Sequence, residues 1–164
     1  MGRTLILGMG NTIRGDDGVG IIAAGVLKGQ MDLPGIEIKQ TYETGVNLLY
    51  EIYGYKKVII IDSIRGKGGL PGDIYRFNPL EEGRSKGYTG YKQSNSTLPY
   101  SLHNMGLAAM IRMAGNLIDM PEEIIVYAVK IENGGLFGTA LSPKIKKAVR
   151  EVAALVRKEV SDAG

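Results

Sequence analysis

The sequence predicts an α/β protein with three layers, in which helices cover both faces of a twisted, mostly parallel mixed sheet of about five strands. In the first part of the chain, short apolar runs alternate with amphipathic stretches in the order strand, helix, strand, helix, strand. Glycine accounts for 24 of the 164 residues, which indicates many tight turns and loops. The length is that of one domain, so we expect residues 1–164 to form a single domain.

The N-terminal elements follow from local patterns. An apolar run that ends in glycines predicts a strand and a turn, and a continuous β-branched run is typical of a central strand covered on both faces. Asp16 and Asp17 precede an apolar helical stretch, and we expect them to cap that helix. The predicted strands are 4–7, 36–40 and 58–61, and the predicted helices are 19–27 and 44–53.

The C-terminal part departs from this alternation. Only ten residues separate Asp62 from Asp73, too few for a parallel crossover, so the next strand is expected to be antiparallel. Residues 80–100, which carry Arg84, Lys86 and Lys92, predict a long mobile loop that contacts a partner. The remaining predicted elements are a strand at 73–77, a helix at 107–117, a strand at 124–129 and a last helix that begins at Ser142 and Pro143.

Composition excludes several classes of protein. The chain has no cysteine, which excludes disulfides, thiolate zinc sites, iron–sulfur clusters and a cysteine nucleophile. The net charge of +3 is too small to indicate nucleic acid binding. The apolar run 5–7 is too short for a signal peptide or a membrane span, so we expect a cytoplasmic protein without a membrane partner.

Three polar side chains are candidates for one site. Asp17 follows the first predicted strand and Asp62 the third, and the carboxyl ends of parallel neighbours meet at one edge of a sheet. His103, the sole histidine, is the third candidate. Two carboxylates and an imidazole suit a divalent transition metal, but they also suit general acid–base chemistry without metal. The spacing of these residues alone does not decide between a metal site and metal-free acid–base chemistry.

The sequence resembles the nickel–iron hydrogenase maturation endopeptidases. The longest motif that carries this resemblance is GMGNTIRGDDGVG at residues 8–20. Four further matches follow in the order expected for the family, so that the resemblance covers nearly the whole chain. They are TGVNLL at 44–49, Asp62 at the strand end, SLHN at 101–104 and LSP at 141–143.

The resemblance implies an enzyme that removes the C-terminal extension of a hydrogenase large-subunit precursor after nickel insertion. It implies that Asp17, Asp62 and His103 contact the nickel, which the substrate carries, and that other divalent metals can replace it as surrogates. Asp16 matches a structural or supporting acidic position. One departure is Glu43, which stands where relatives often have an acidic, glycine-rich run, so a catalytic acid at that place is in question.

Two alternatives remain beside the endopeptidase. The first is a nickel-sensing chaperone that binds the precursor without cleaving it. The second is a nucleotide-binding α/β protein that uses the loop at residues 8–20. Ile13 disfavours the second alternative, because it stands where the dinucleotide fingerprint has its third glycine.

Overall fold

A computed structural model of the chain describes residues 2–66, 68–79, 86–89, 92–94, 113, 115, 119–132, 138 and 140–163. These residues form seven strands and three α-helices, with a 3-10 turn at Gly15–Gly18, and strands alternate with helices only up to the third strand. The strands are β1 Thr4–Met9, β2 Ile36–Thr41, β3 Lys57–Ile64, β4 Ile74–Phe77, β5 Lys86–Thr89, β6 Lys92–Ser94 and β7 Glu123–Lys130. The helices are α1 Val19–Gln30, α2 Asn47–Ile52 and α3 Pro143–Asp162.

The strands form one mixed sheet in the order β2-β1-β3-β7-β4-β5-β6. The four strands β2, β1, β3 and β7 are parallel, while β4 runs antiparallel to β7. The predicted fold class is confirmed, and so is the antiparallel strand after the short connection. The expectation of a loop at residues 80–100 is wrong for β5 and β6, which extend the sheet from β4. Arg84 and most of the predicted helix 107–117 lie outside the described residues.

Helices pack on both faces of the sheet because successive strand residues point to opposite sides. Leu5 and Leu7 of β1 face the side covered by α2, whereas Ile6 faces α1 and α3. β3 and β7 are apolar on both faces, as expected for strands between two helical layers. No helix in the described part of the chain is long and apolar enough to cross a membrane.

Glu159 on α3 forms a cluster with charged and polar side chains of the sheet. Arg76 on β4 donates two hydrogen bonds of 2.8 Å to the Glu159 carboxylate, and the Tyr127 hydroxyl donates a third of 2.7 Å. The Lys57 ammonium donates to the same carboxylate at 3.2 Å. These partners, above all Arg76, lower the pKa of Glu159 from 4.5 to about 2. The Glu159 carboxyl group is therefore ionised in the folded protein at neutral pH.

We expect Glu159→Gln to reduce the free energy of unfolding at pH 7 by about 2–3 kcal/mol. The stabilisation is fully present above pH 4.5 and is lost as the pH falls through about 2, because protonation then removes the charge that Arg76 requires. Urea unfolding of both proteins from pH 7 to pH 2 measures this. A difference in stability that stays constant over the whole range would contradict the assignment.

Candidate functional site

The site lies where β1 and β3 end side by side. These strands pair in register from Thr4 opposite Lys57 to Gly8 opposite Ile61, so Asp62 comes at the level where β1 passes into its loop. The loop returns at once, since the Asn11 amide donates to the Asp17 carbonyl at 3.1 Å. At Gly10 the φ angle is +145°, and a Cβ there would lie 2.1 Å from the same carbonyl oxygen. Glycine is therefore needed to bring Asp17 back beside the sheet.

The first turn of α1 also approaches the strand ends closely. A Cβ on Gly20 would lie 2.2 Å from the Ile61 carbonyl oxygen and 2.3 Å from that of Met9. A Cβ on Gly8 would in turn lie 2.3 Å from the carbonyl oxygen of Gly20. Helix and strands thus meet backbone to backbone, and this contact fixes the turn that carries Asp17 against the end of β3.

The structure brings Asp17 and the end of β3 into direct contact. Asp17 Oδ1 accepts a hydrogen bond of 2.7 Å from the Ser63 hydroxyl, and it lies 3.7 Å from Nη2 of Arg65. The Asp17 side chain remains 21% exposed. Asp62 directly precedes Ser63, and the negative charge of Asp17 is near enough to act on the Asp62 carboxyl group.

Asp62 is the buried member of this pair, with 9% of its surface exposed. Its pKa is raised to about 7, chiefly because desolvation penalises the charged carboxylate and also because the negative charge of Asp17 acts in the same direction. The Ser63 amide, which donates to Asp62 Oδ1 at 2.7 Å, and the Arg65 guanidinium act in the opposite direction. A carboxyl group in this setting gains or loses a proton near neutral pH, and a nearby cation favours its ionised form.

Asp16 points away from this pair and makes a long-range contact. Its Oδ1 accepts from the Ser142 amide at 2.7 Å and its Oδ2 from the Ser142 hydroxyl at 2.9 Å. The carboxylate thereby lies at the N-terminus of α3, where a negative charge is stabilised by the helix dipole. The expectation that Asp16 and Asp17 cap α1 is wrong: Gly18 occupies the N-cap and no side chain caps that helix.

We expect Asp16→Ala to lower the free energy of unfolding by about 2 kcal/mol, because two hydrogen bonds to a charged group are lost. Asp16→Asn, which keeps an oxygen acceptor, should lose less. Thermal unfolding gives the stability, and activity is compared per folded molecule. An Asp16→Ala protein of unchanged stability that has lost its activity would show that Asp16 takes part in the chemistry instead.

His103 and Glu43 are the other two predicted residues. His103 lies outside the described residues, so its position relative to the two acids stays a prediction. Glu43 follows β2, and its carboxylate accepts a hydrogen bond of 3.0 Å from Asn47 at the start of α2. No group of three His, Asp or Glu side chains that could hold a metal ion occurs among residues the structure describes. Two carboxylates suit a cation as partial ligands but leave most of its coordination shell to others.

Ser63 and Arg65 are contacts of Asp17 that the sequence reasoning missed. Both lie at the carboxyl end of β3, on either side of the buried Ile64. The alternation of strand residues could have indicated that they share a side of the sheet. Their partner, however, lies 46 residues away from Ser63 in sequence, and no local pattern points to it.

Comparison with known proteins gives the family and the fold of the chain. The family model described as hydrogenase maturation protease matches residues 27–159. No curated protein sequence matches the chain. Among solved structures, the hydrogenase maturating endopeptidase HybD from E. coli superposes with a TM-score of 0.74 at 22% identity, over 99% of this chain and 94% of its own.

An archaeal structure is similar as well. The [NiFe] hydrogenase maturation protease HycI from Thermococcus kodakarensis has a TM-score of 0.64 at 25% identity, over 95% of this chain and 90% of its own. These structural likenesses agree with the observed sheet and its helical layers. The family match spans most of the chain and includes β3 with Asp62. The chain therefore belongs to the hydrogenase maturation protease family.

Proposed function

We propose that the chain is an endopeptidase that removes the C-terminal extension from a nickel-loaded [NiFe]-hydrogenase large-subunit precursor. The observation that carries this proposal is the contact of Asp17 with Ser63 at the carboxyl end of β3, next in sequence to the buried Asp62, within a chain of the maturation protease family. The family match favours neither the chaperone nor the nucleotide-binding alternative. The expected cytoplasmic location is part of the same proposal.

In this proposal the Asp17 carboxylate has a fixed orientation, whereas Asp62 changes its protonation state. The Ser63 hydroxyl holds Oδ1 of Asp17, so the carboxylate is oriented before the client arrives. Asp62 is buried at the same end of β3, and an approaching positive charge favours its ionised form. Nickel on the client supplies a recognition point, and it can polarise the scissile carbonyl or a water molecule.

Dependence on the client's metal follows from the small number of ligands. Two carboxylates alone form a hard oxygen site, which suits magnesium or calcium better than nickel. An imidazole from His103 shifts the preference towards nickel or zinc, yet three ligands still leave coordination incomplete. A client that holds nickel with its own side chains completes the shell, so cleavage waits until nickel has been inserted. Other divalent ions should serve only as surrogates.

We expect His103→Ala to lose processing of the nickel-loaded precursor while it keeps the thermal stability of the wild type. The reason is that His103 is the one imidazole in the chain and the nitrogen ligand in the proposed set. Cleavage assays and thermal unfolding are measured on the same preparation. A fully active His103→Ala protein would remove His103 from the site.

The experiment that tests the proposed reaction separates cleavage from docking. Purified protein is incubated with nickel-loaded precursor, and intact-mass spectrometry follows both products. We expect a shortened large subunit together with the released C-terminal peptide. A stable complex with an uncleaved precursor would support the non-cleaving chaperone and contradict the proposal.

A further inference from the structure

We infer that Arg65 is a built-in counter-ion of Asp17 and Asp62, which weakens the binding of free divalent ions at these acids. The inference rests on the proposed function, since it concerns the metal affinity of the same two acids in the free protein. It assigns a role to a residue that follows β3 directly and that the proposed reaction does not use.

The first observation is the place of the guanidinium. Arg65 Nη2 lies 3.7 Å from Asp17 Oδ1, the oxygen that also accepts the Ser63 hydrogen bond. Opposite charges 3.7 Å apart form an ion pair, but this distance is too long for a hydrogen bond. The side chain is 38% exposed. Arg65 therefore contacts Asp17 through charge, and part of its side chain faces solvent.

The second observation is an unsatisfied donor on the same side chain. Arg65 Nε is buried and has no hydrogen-bond partner among the residues that the structure describes. Leaving a buried donor without a partner costs free energy, so Nε does not stabilise this arrangement of the guanidinium. The Asp17–Arg65 pair is thus a contact that can be exchanged at little cost.

The third observation is the charge balance of the site. Asp17 and Asp62 carry two negative charges when both are ionised, and Arg65 acts electrostatically on both acids. Arg65 neutralises half of this charge and also repels a divalent ion directly. Even at the dielectric constant of water, a unit charge about 6 Å from a divalent ion changes its affinity about tenfold. Metal binding by the free protein is weakened accordingly.

The test is calorimetric titration of metal-free protein with NiCl₂ at pH 8 and low ionic strength, where screening is small. We expect Arg65→Gln to bind Ni²⁺ at least about tenfold more tightly than wild type. Arg65→Lys, which keeps the charge, should stay within about threefold of wild type. Equal or weaker binding by Arg65→Gln would overturn the inference.

A matched control exists at the opposite end of the same strand. Lys56 directly precedes β3 and forms an ion pair of 3.7 Å with Glu122, with 57% of its side chain exposed. Lys56→Gln removes one positive charge far from the acids, so its Ni²⁺ affinity should equal that of wild type. If Lys56→Gln gained as much Ni²⁺ affinity as Arg65→Gln, net charge alone would explain the effect, and this would contradict the inference.

Two further variants locate the ion and guard against misfolding. The gain in affinity should disappear in the double variant Arg65→Gln/Asp17→Asn, and its persistence there would place the ion elsewhere and overturn the inference. Arg65→Met, which is also neutral, should reproduce the gain of Arg65→Gln with an unchanged circular dichroism spectrum. All these titrations omit the precursor, so the inference can fail while cleavage succeeds, and cleavage can fail while the inference holds.

Discussion

Asp17→Asn and Asp62→Asn are each expected to reduce processing of nickel-loaded precursor at least about 100-fold while the protein stays folded. Each substitution replaces a carboxylate by an amide of nearly the same shape, so packing is kept and the negative charge is lost. Asp62 is buried, and burial is the main cause that raises its pKa to about 7, so a neutral side chain is tolerated there. The loss should therefore fall on the reaction and leave stability nearly unchanged.

The measurement is the initial rate of cleavage, normalised to the folded fraction from circular dichroism. Asp32→Asn is the matched control, because Asp32 is exposed in the loop after α1 and should process at the wild-type rate. If either site variant unfolds and yet keeps normal activity per folded molecule, its carboxylate has a structural role and the assignment is wrong.

Gly20→Ala is expected to destabilise the fold by at least about 3 kcal/mol and to lower Tm by roughly 6–12 °C. The added Cβ would lie 2.2 Å and 2.3 Å from two backbone carbonyl oxygens of β3 and β1, and neither can move without disturbing the sheet. The effect opposes helix propensity, which favours alanine over glycine by about 1 kcal/mol. It should also displace Asp17, so processing is expected to fall together with stability.

Gly29→Ala provides the control within the same helix. A Cβ at Gly29 would meet nothing within 4 Å, so only the propensity term remains, and the variant should be neutral or stabilised by up to about 1 kcal/mol. Thermal and urea unfolding of the two variants give the comparison. Equal stabilities would mean that α1 does not approach the strand ends as closely as the structure shows.

Much of the fold could be predicted because its strands carry strong local patterns. The β-branched run at 58–61 indicates a buried central strand, and the short connection between Asp62 and Asp73 correctly predicts an antiparallel neighbour. The carboxyl-edge rule predicts that Asp17 lies near Asp62 without any knowledge of the register. The strands β5 and β6 could not be predicted, since their seven residues have neither apolar alternation nor β-branched runs.

The contacts that organise the site were harder to predict because they join distant parts of the chain. Asp16 and Ser142 are 126 residues apart, and the local sequence around Asp16 suggests only a helix cap. The local sequence around Ser63 and Arg65 indicates only the end of a strand. Their contacts with Asp17 form because the turn that carries Asp17 packs against this strand end. Such pairings depend on tertiary packing, which local propensity does not encode.

The central claim is that Asp17 and Asp62 act on nickel that the client itself carries. Its most direct test compares cleavage of nickel-loaded and nickel-free precursor by the wild-type protein, with intact-mass spectrometry of both reactions. We predict that the nickel-loaded precursor is shortened and that the nickel-free precursor remains intact. Equal cleavage of the two precursors would contradict the claim.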